Sequence, residues 1–199
     1  MSQWTIIPQR GLAGGKARLA HVLGARERRA LNAHLLERVL AAVAEPQAGL
    51  ARVVVASAGE DTLEFARAAG AWALADPPGA RLNEALEAAR DLVRERGARS
   101  ILVMSADLPH ATRAAVADLR AAVPEGGAAI VADKHGTGTN GLLLPAALPL
   151  AFAFGTDSLA RHAKSLDALG VRALVWRAPA LALDIDLPGE YAAWAREAA

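Results

Sequence analysis

Two aspartates near the end of the chain stand one residue apart in the run ALDIDLP, where Asp184 and Asp186 alternate with Leu183, Ile185 and Leu187. In an extended strand, residues i and i+2 share a face, so the pattern predicts two carboxylates on one face and three apolar side chains facing the core. Two carboxylates held close together repel each other unless a cation lies between them. Mg²⁺ prefers oxygen ligands and would relieve that repulsion. The alternative is the polar face of an exposed sheet edge.

A third acid, Asp107, follows the buried-type run SILVMS in the segment Ser105-Ala-Asp-Leu-Pro109. The carboxyl end of a buried strand is where α/β sheets place their ligands. The carboxylate could therefore bind Mg²⁺ together with the two later acids. The alternative is a cap on the following helix, for which Thr112 competes.

A glycine-rich segment, GLAGGKAR, follows the first predicted strand. Free backbone N–H groups beside the cations Lys16 and Arg18 suit a phosphate. The segment is not a Walker A loop, because Gly11 and Gly15 are spaced one residue too closely and Ala17 replaces the Mg²⁺-binding Ser or Thr. A surface turn with solvated cations is the alternative.

Two later segments also have small residues and hydroxyls. GTGTNG at 136–141 matches G-x-G-x-x-G, but an apolar strand-like run follows it, whereas the dinucleotide fingerprint must open a helix. A loop of this kind still permits close approach to a phosphate or base.

GTDS at 155–158 opens a predicted helix ahead of Arg161 and His162, which favours either an anion site or an ordinary capped helix. The histidine spacing fits no zinc motif.

The elements that must position these residues alternate along the chain. Strands are predicted at 4–8, 52–57, 71–75, 100–105, 128–132, 141–144, 171–177 and in the ALDID run; helices are predicted over 25–44, 61–69, 83–96, 112–122, 158–169 and at the C-terminus. Such alternation predicts an α/β fold with a three-layer, mostly parallel mixed sheet.

Length and composition restrict the class of protein. The 199 residues suit one domain spanning 1–199, and 22 basic against 21 acidic side chains indicate neither a nucleic-acid partner nor an anionic membrane. Cysteine is absent, which excludes disulfides and thiolate metal sites. No signal peptide and no span long enough for a bilayer are predicted, so we expect a cytoplasmic protein.

Six short segments, taken in order, resemble the 2-phospho-L-lactate guanylyltransferases of coenzyme F420 biosynthesis. These enzymes have the nucleotide-diphospho-sugar transferase-like (GT-A-like) fold. The matching segments are Ile7-Pro8 with Gly15–Leu19, Leu82–Leu86, Ala106–Pro109, Gly138–Asn140, Phe154–Ser158 with Arg161-His162, and Asp184–Pro188.

The resemblance implies an Mg²⁺-dependent guanylyltransferase. Its members join GTP to a small phosphorylated acid (2-phospho-L-lactate, phosphoenolpyruvate or 3-phosphoglycerate) and release pyrophosphate. The residues implied are Asp107, Asp184 and Asp186 for the metal; Lys16, Arg10 and Asp107 for catalysis; Gly11, Gly14, Gly15, Arg18 and Asn83 for the nucleotide; and Thr139, Asn140, Gly155, Ser158 and Arg161 for the acceptor.

The chain departs from the family pattern near the expected phosphates. Arg10 stands where the family usually has lysine, Ala17 replaces a serine, and His110-Ala111 replaces leucines. A related nucleotidyltransferase acting on molybdopterin or a sugar phosphate therefore remains an alternative, as does a nucleotide-binding protein without turnover. The sequence leaves homodimerisation open.

Overall fold

The computed structural model describes residues 2–197, which contain seven strands and seven helices. The strands are β1 (Gln3–Pro8), β2 (Val53–Ser57), β3 (Trp72–Ala75), β4 (Ser100–Met104), β5 (Ala129–Ala132), β6 (Thr139–Pro145) and β7 (Leu174–Trp176). The helices are α1 (Ala25–Val43), α2 (Glu60–Ala69), α3 (Leu82–Glu95), α4 (Arg113–Ala122), α5 (Ser158–Ala168), α6 (Pro179–Ala182) and α7 (Pro188–Glu197), with a 3₁₀ turn at Ala17–Leu19.

The strands form one mixed sheet in the order β3-β2-β1-β4-β6-β5-β7. Strands β1, β2, β3 and β4 are parallel to one another, as are β5 and β7, whereas β6 runs antiparallel to both of its neighbours. The predicted α/β class with a mostly parallel mixed sheet is confirmed. Parallel strands carry their chain ends to the same edge, so the loops after β1, β2 and β4 meet there.

Helices cover both faces of the sheet because successive strand residues alternate between two cores. Ile7 and Leu102 pack on one side with apolar residues of α1, α2 and α4. Ile6 and Val103 pack on the other side with apolar residues of α3 and α5. The stripe predicted for the first helix is buried along its length, at Leu31, Leu35, Val39 and Val43. The three-layer arrangement follows from this alternation.

The prediction of a strand in the ALDID run is wrong. Residues 183–186 are irregular and join α6 to α7, with Ile185 fully buried but Leu187 44% exposed. The backbone N–H of Ile185 donates to the Asp107 carbonyl at 3.3 Å. The N–H groups of Asp186 and Leu187 both donate to the Glu190 carboxylate at 2.7 Å. Glu190 and the Asp107 carbonyl thus take the hydrogen bonds that a strand would have given to a neighbouring strand.

Other elements differ mainly in their bounds. The strand predicted at 171–177 contains only Leu174–Trp176, and the one predicted at 141–144 extends over Thr139–Pro145. The GTGTNG run therefore leads into a strand, as the sequence indicated. Within residues 2–197, no helix has the length and apolar character needed to cross a membrane.

Candidate active site

A cavity of about 680 Å³ opens at the carboxyl edge of the parallel strands. Its walls come from the ends of the four strands β1, β2, β3 and β4, from the glycine-rich loop and from the start of α3. The polar and glycine residues that line it include Arg10, Gly14, Gly15, Lys16, Arg18, Asn32, Asp76, Arg81, Asp107 and Asp186. The cavity thus brings together the predicted phosphate loop and two of the three predicted metal ligands.

The glycine-rich loop is held from below by Asn32 of α1. This side chain is 3% exposed, and its amide donates to the Leu12 carbonyl at 2.9 Å and to the Gly14 carbonyl at 3.0 Å. Helix α2 holds the same loop from the side, because Leu12 N–H donates to Thr62 Oγ1 at 2.9 Å and Ala13 N–H donates to Asp61 Oδ2 at 3.0 Å. These contacts leave the loop shaped before any ligand arrives.

Close backbone packing explains two of the glycines at this site. Gly11 has φ 148°, and a Cβ on Gly59 would lie 2.9 Å from the Gly11 Cα. Contacts that short do not occur for real Cβ atoms, so only glycine permits this approach.

Lys16 also has a left-handed backbone, with φ 48°, which is costly for a residue with a side chain. That conformation begins the 3₁₀ turn and turns the lysine inwards.

The Lys16 side chain is only 5% exposed and lies among the acids. Its Nζ is 3.1 Å from Asp107 Oδ2 and 3.6 Å from Asp186 Oδ1, and it donates to the Ile185 carbonyl at 2.5 Å. One ammonium group therefore contacts two segments far apart in sequence. It provides positive charge where the phosphate loop meets the carboxylates.

Asp184 completes a group of three acids. Burial, together with the neighbouring charges of Asp107 and Asp186, raises the pKa of Asp184 to about 6. Asp107 Oδ1 is buried and has no hydrogen-bond partner among the described residues. An unpaired carboxylate oxygen beside two further carboxylates is a donor set suited to Mg²⁺. The chemistry of these residues thus fits the predicted ion.

The acids are not arranged as a finished metal site. No group of three or more Asp, Glu, His or Cys side chains in residues 2–197 is placed to hold a metal ion as it stands. The alternative role of Asp107 as a cap for α4 is excluded, because Thr112 occupies that position and accepts from Ala115 N–H at 3.2 Å. The metal roles of the three acids stay predictions.

Two residues hold the segment that carries Asp184 and Asp186. Glu190 accepts from two backbone N–H groups of the segment and from Lys134 Nζ at 2.5 Å. Burial alone would raise the pKa of Glu190, but the Lys134 contact and those N–H groups lower it below its usual value. On the other side, the Asn140 amide donates to the carbonyls of Leu181 and Ala182 at 3.0 and 2.9 Å. Asn140, predicted to contact the acceptor, thus uses both amide protons to position the acidic segment.

The other predicted acceptor residues lie around residues 153–154 and do not line the cavity. Thr139 Oγ1 is 3.1 Å from His162 Nδ1, and the Arg161 guanidinium contacts the carbonyls of Ala153 and Phe154. Gly155, with φ 120°, and the buried Ser158 begin α5 beside them. Their contacts with an acceptor stay predictions.

Asn83, predicted to contact the nucleotide, is hydrogen-bonded to the backbone of Phe154. Its amide donates to the Phe154 carbonyl at 3.3 Å, and its Oδ1 accepts from Phe154 N–H at 2.9 Å. The side chain thus joins α3 to the loop before α5. Asn83 does not line the cavity, whereas its neighbours Arg81 and Leu82 do.

Sequence reasoning identified the exposed cations Arg10 and Arg18, which both line the cavity, but missed Asp76. Burial raises the pKa of Asp76, and its Oδ1 is enclosed without a hydrogen-bond partner in the described part of the chain. The residue directly follows strand β3. A polar side chain at the carboxyl end of a parallel strand is the signal that identified Asp107, and it would have identified Asp76 too.

Comparison with protein families places almost the whole chain in one group. The family model described as "Guanylyl transferase CofC like" matches residues 3–192. A phosphoenolpyruvate guanylyltransferase of Rubrobacter xylanophilus is 40% identical over 195 residues, which cover 96% of this chain and 93% of that protein. The enzyme of the same name from Sphaerobacter thermophilus is 37% identical over 190 residues, covering 96% and 91%.

Solved structures of low sequence identity share the fold. A nucleotidyl transferase from Methanothermobacter has a TM-score of 0.66 at 16% identity, with 98% of this chain and 99% of that chain covered. A 4-diphosphocytidyl-2C-methyl-D-erythritol synthase from Anaerococcus prevotii has a TM-score of 0.67 at 10% identity, with 100% and 96% covered. The predicted nucleotide-diphospho-sugar transferase-like fold is confirmed.

Proposed function

The chain belongs to the guanylyl transferase CofC-like family, and from this premise we propose that it transfers GMP from GTP to a small phosphorylated acid. Phosphoenolpyruvate is the first candidate acceptor, because relatives at 40% and 37% identity carry that substrate in their names. 2-Phospho-L-lactate and 3-phosphoglycerate are the other candidates. The product would serve the biosynthesis of coenzyme F420.

One observation carries the proposal. A single cavity is lined both by the glycine-rich loop, through Gly14 and Gly15, and by the carboxylates Asp107 and Asp186. The loop offers backbone N–H groups to phosphates, and the carboxylates can bind the cation that accompanies a triphosphate. Nucleotidyl transfer needs these two elements within reach of the same phosphorus atom.

The reaction is a displacement at the α-phosphorus of GTP. An oxygen of the acceptor's phosphate forms a bond to that phosphorus, and the bond from the phosphorus to the pyrophosphate oxygen breaks. A phosphate monoester is already anionic near neutral pH, so the attacking oxygen has no proton that a strong base must remove. Catalysis then depends on positioning and on neutralising negative charge.

Three cations in and beside the glycine-rich loop are placed to neutralise that charge. Arg10 and Arg18 are exposed at the mouth of the cavity, and the Lys16 ammonium lies at its floor beside Asp107. Arg10 keeps the charge of the lysine usual in the family but presents a planar fork that can hold two phosphate oxygens. Mg²⁺ held by Asp107, Asp184 and Asp186 would supply further positive charge at the phosphates.

Asp76 is suited to reading the base. The Watson–Crick edge of guanine presents the N1–H and N2–H₂ donors side by side, and a carboxylate accepts two such donors at once. Asp76 lines the same cavity as the phosphate loop, and its buried Oδ1 lacks a hydrogen-bond partner in the described residues. A carboxylate desolvated in this way has much to gain from a pair of donors.

The test is pyrophosphate release by the purified protein with Mg²⁺. GTP, CTP and ATP are each paired with phosphoenolpyruvate, 2-phospho-L-lactate, 3-phosphoglycerate and a sugar 1-phosphate. We expect release with GTP and one of the three phospho-acids, with the guanylylated acid identified by mass spectrometry. Release only with a sugar phosphate, or with CTP in place of GTP, would replace the proposal with a related transferase. Nucleotide binding without release for every pair would identify a binding protein without turnover.

A further inference from the structure

A buried histidine lies between the predicted acceptor residues. His162 of α5 is fully buried, and each of its ring nitrogens has one hydrogen-bond partner. The backbone N–H of Ala153 donates to Nε2 at 3.0 Å, and Thr139 Oγ1 lies 3.1 Å from Nδ1. The sequence identified this residue only as part of a motif and assigned it no role.

The Ala153 contact determines where the ring proton is. A backbone N–H can only donate, so Nε2 must be the unprotonated nitrogen that accepts. The neutral imidazole then carries its single proton on Nδ1. Nδ1–H faces Thr139 Oγ1, and the threonine hydroxyl must therefore accept the hydrogen bond.

The surroundings keep the ring neutral and in place. Burial, together with the nearby charge of Arg161, lowers the pKa of His162 to about 4. The Phe154 ring packs against the imidazole edge-on at 4.8 Å between centroids. Phe154 is itself held through both backbone groups by Asn83, so the adjacent Ala153 N–H has a fixed direction. A flipped or charged imidazole would lose the Ala153 bond.

A threonine hydroxyl that accepts from histidine still has its own proton to donate. Thr139 is 8% exposed, and residues 2–197 give this proton no acceptor. An anionic oxygen is the partner that a hydroxyl donor in a nearly buried site bonds most strongly. With the opposite tautomer, Thr139 would donate to the ring and have no proton left for a ligand.

We infer that His162 is a positioning residue, whose Nδ1–H makes Thr139 Oγ1 a hydrogen-bond donor to an anionic oxygen of the acceptor. The placement of the proton rests on the geometry alone. The identity of the anion rests on the proposed function.

The first test is NMR of the imidazole nitrogens in the ¹⁵N-labelled full chain at neutral pH. The signals of His162 are assigned by their absence from His162→Asn, since the chain has 5 histidines. We expect a proton on Nδ1 and none on Nε2. A proton on Nε2, or on both nitrogens, would overturn the inference whether or not the protein turns over GTP.

The second test uses two substitutions, each of which keeps one of the two hydrogen bonds that the imidazole makes. In His162→Asn the amide nitrogen stands near the Nδ1 position and can still donate to Thr139. In His162→Gln the amide oxygen stands near the Nε2 position and can still accept from Ala153, while the donor to Thr139 is lost. We expect the acceptor KM to rise less than about threefold in His162→Asn and at least about tenfold in His162→Gln, with the KM for GTP unchanged in both.

A double-mutant cycle combines His162→Gln with Thr139→Val. Valine keeps the shape of threonine and removes the hydroxyl. The double substitution with His162→Gln should raise the acceptor KM no further than Thr139→Val alone. Equal effects of the asparagine and glutamine variants, or fully additive effects in the cycle, would reduce His162 to a packing role. If the parent protein turned over no acceptor, the proposed function would fail, and the NMR result would still decide where the proton lies.

Discussion

Lys16 Nζ lies 3.1 Å from Asp107 Oδ2, although the two residues are 91 positions apart in the chain. Lys16 comes from the loop after β1, and Asp107 comes from the loop after β4. The two strands are adjacent and parallel in the sheet, so their carboxyl ends carry both loops to one edge. The glycine-rich loop and the acidic residues of the candidate site meet at this ion pair.

Replacing Lys16 should make the protein depend more strongly on Mg²⁺ for stability. In Lys16→Met the three acids lose the ammonium that balances them, so we expect about 2 kcal/mol less free energy of unfolding in EDTA. Turnover should fall at least about a hundredfold. Mg²⁺ should then raise the melting temperature of the variant more than that of the parent, because it binds acids that no longer have a cation.

Thermal unfolding in EDTA and in Mg²⁺ measures this difference. Lys164→Met is the matched control, since Lys164 is exposed on α5 and should change neither quantity. Equal Mg²⁺ shifts in the parent and in Lys16→Met would contradict competition between the ammonium and the ion.

Asp184→Asn should separate catalysis from folding. Asparagine has nearly the same size but no charge. The cost of burying the charge and its repulsion with Asp107 and Asp186, which together raise the pKa of Asp184, therefore disappear while the packing stays. We expect the fold to persist, turnover to fall at least about a hundredfold, and stabilisation by Mg²⁺ to weaken. Asp118→Asn, on the exposed side of α4, serves as the control. Unchanged turnover in Asp184→Asn would refute its role as a metal ligand.

Asp76→Asn should weaken discrimination of the base. Inosine triphosphate lacks the 2-amino group of GTP, so the parent should prefer GTP by about tenfold or more in kcat/KM. The variant should bind GTP more weakly and lose most of that preference, because an amide does not accept two donors as a carboxylate does. Steady-state kinetics with both nucleotides measures the ratio. A preference preserved in the variant would remove Asp76 from base recognition.

Asn32→Asp should disturb the glycine-rich loop by removing the side-chain amide that holds it. The new carboxylate cannot donate to the carbonyls of Leu12 and Gly14, and it places negative charge beneath the phosphates. We expect a loss of about 1–3 kcal/mol in stability and at least about a tenfold rise in the KM for GTP, with a smaller effect on the acceptor KM. Arg38→Gln, exposed on the same helix, is the control. Equal rises in both KM values would point to general destabilisation.

The buried His162 should make stability fall in mild acid. Its pKa is about 4 in the folded protein against 6.5 in the unfolded chain. Between these values the unfolded chain binds a proton that the folded protein does not, so the free energy of unfolding decreases as the pH falls from about 6.5 to about 4, by at most about 3 kcal/mol. Asp184 acts in the opposite direction, since its folded pKa of about 6 exceeds the ordinary aspartate pKa of 3.8 and its protonation in the folded state favours folding in acid.

Comparison with a variant isolates the histidine. Urea unfolding of the parent and of His162→Asn at pH 7 and pH 5 should show a steeper loss in the parent, because Asp184 is common to both proteins. The same loss in both would show that His162 does not set the acid sensitivity.

Much of the fold could be predicted because burial leaves a local pattern. The four-residue spacing in the first long helix and the apolar run ahead of Asp107 report directly on which face is buried. The position of Asp107 followed from one rule, that ligands bind at the carboxyl ends of parallel strands. Asp76 obeys the same rule but follows a short edge strand that the sequence marks less clearly.

The acidic run ALDIDLP shows where local pattern fails. Its alternation matches a strand, and Ile185 is indeed buried, but the segment pairs with no strand within the described residues. Its hydrogen bonds go to Glu190 and to the Asp107 carbonyl, and neither partner can be read from two-residue spacing. An alternating pattern indicates which side chains are buried, but it does not indicate which groups accept the hydrogen bonds of the backbone.

The sequence by itself determined the layers, the mostly parallel sheet and the edge at which the polar residues gather, because each depends on periodicity within one element. Only the tertiary structure decided the partnerships: Lys16 among the acids, Asn32 beneath the loop, and His162 directing the Thr139 hydroxyl. Each of these contacts joins separate segments through side chains. Their geometry depends on how whole elements are stacked, which no local spacing encodes.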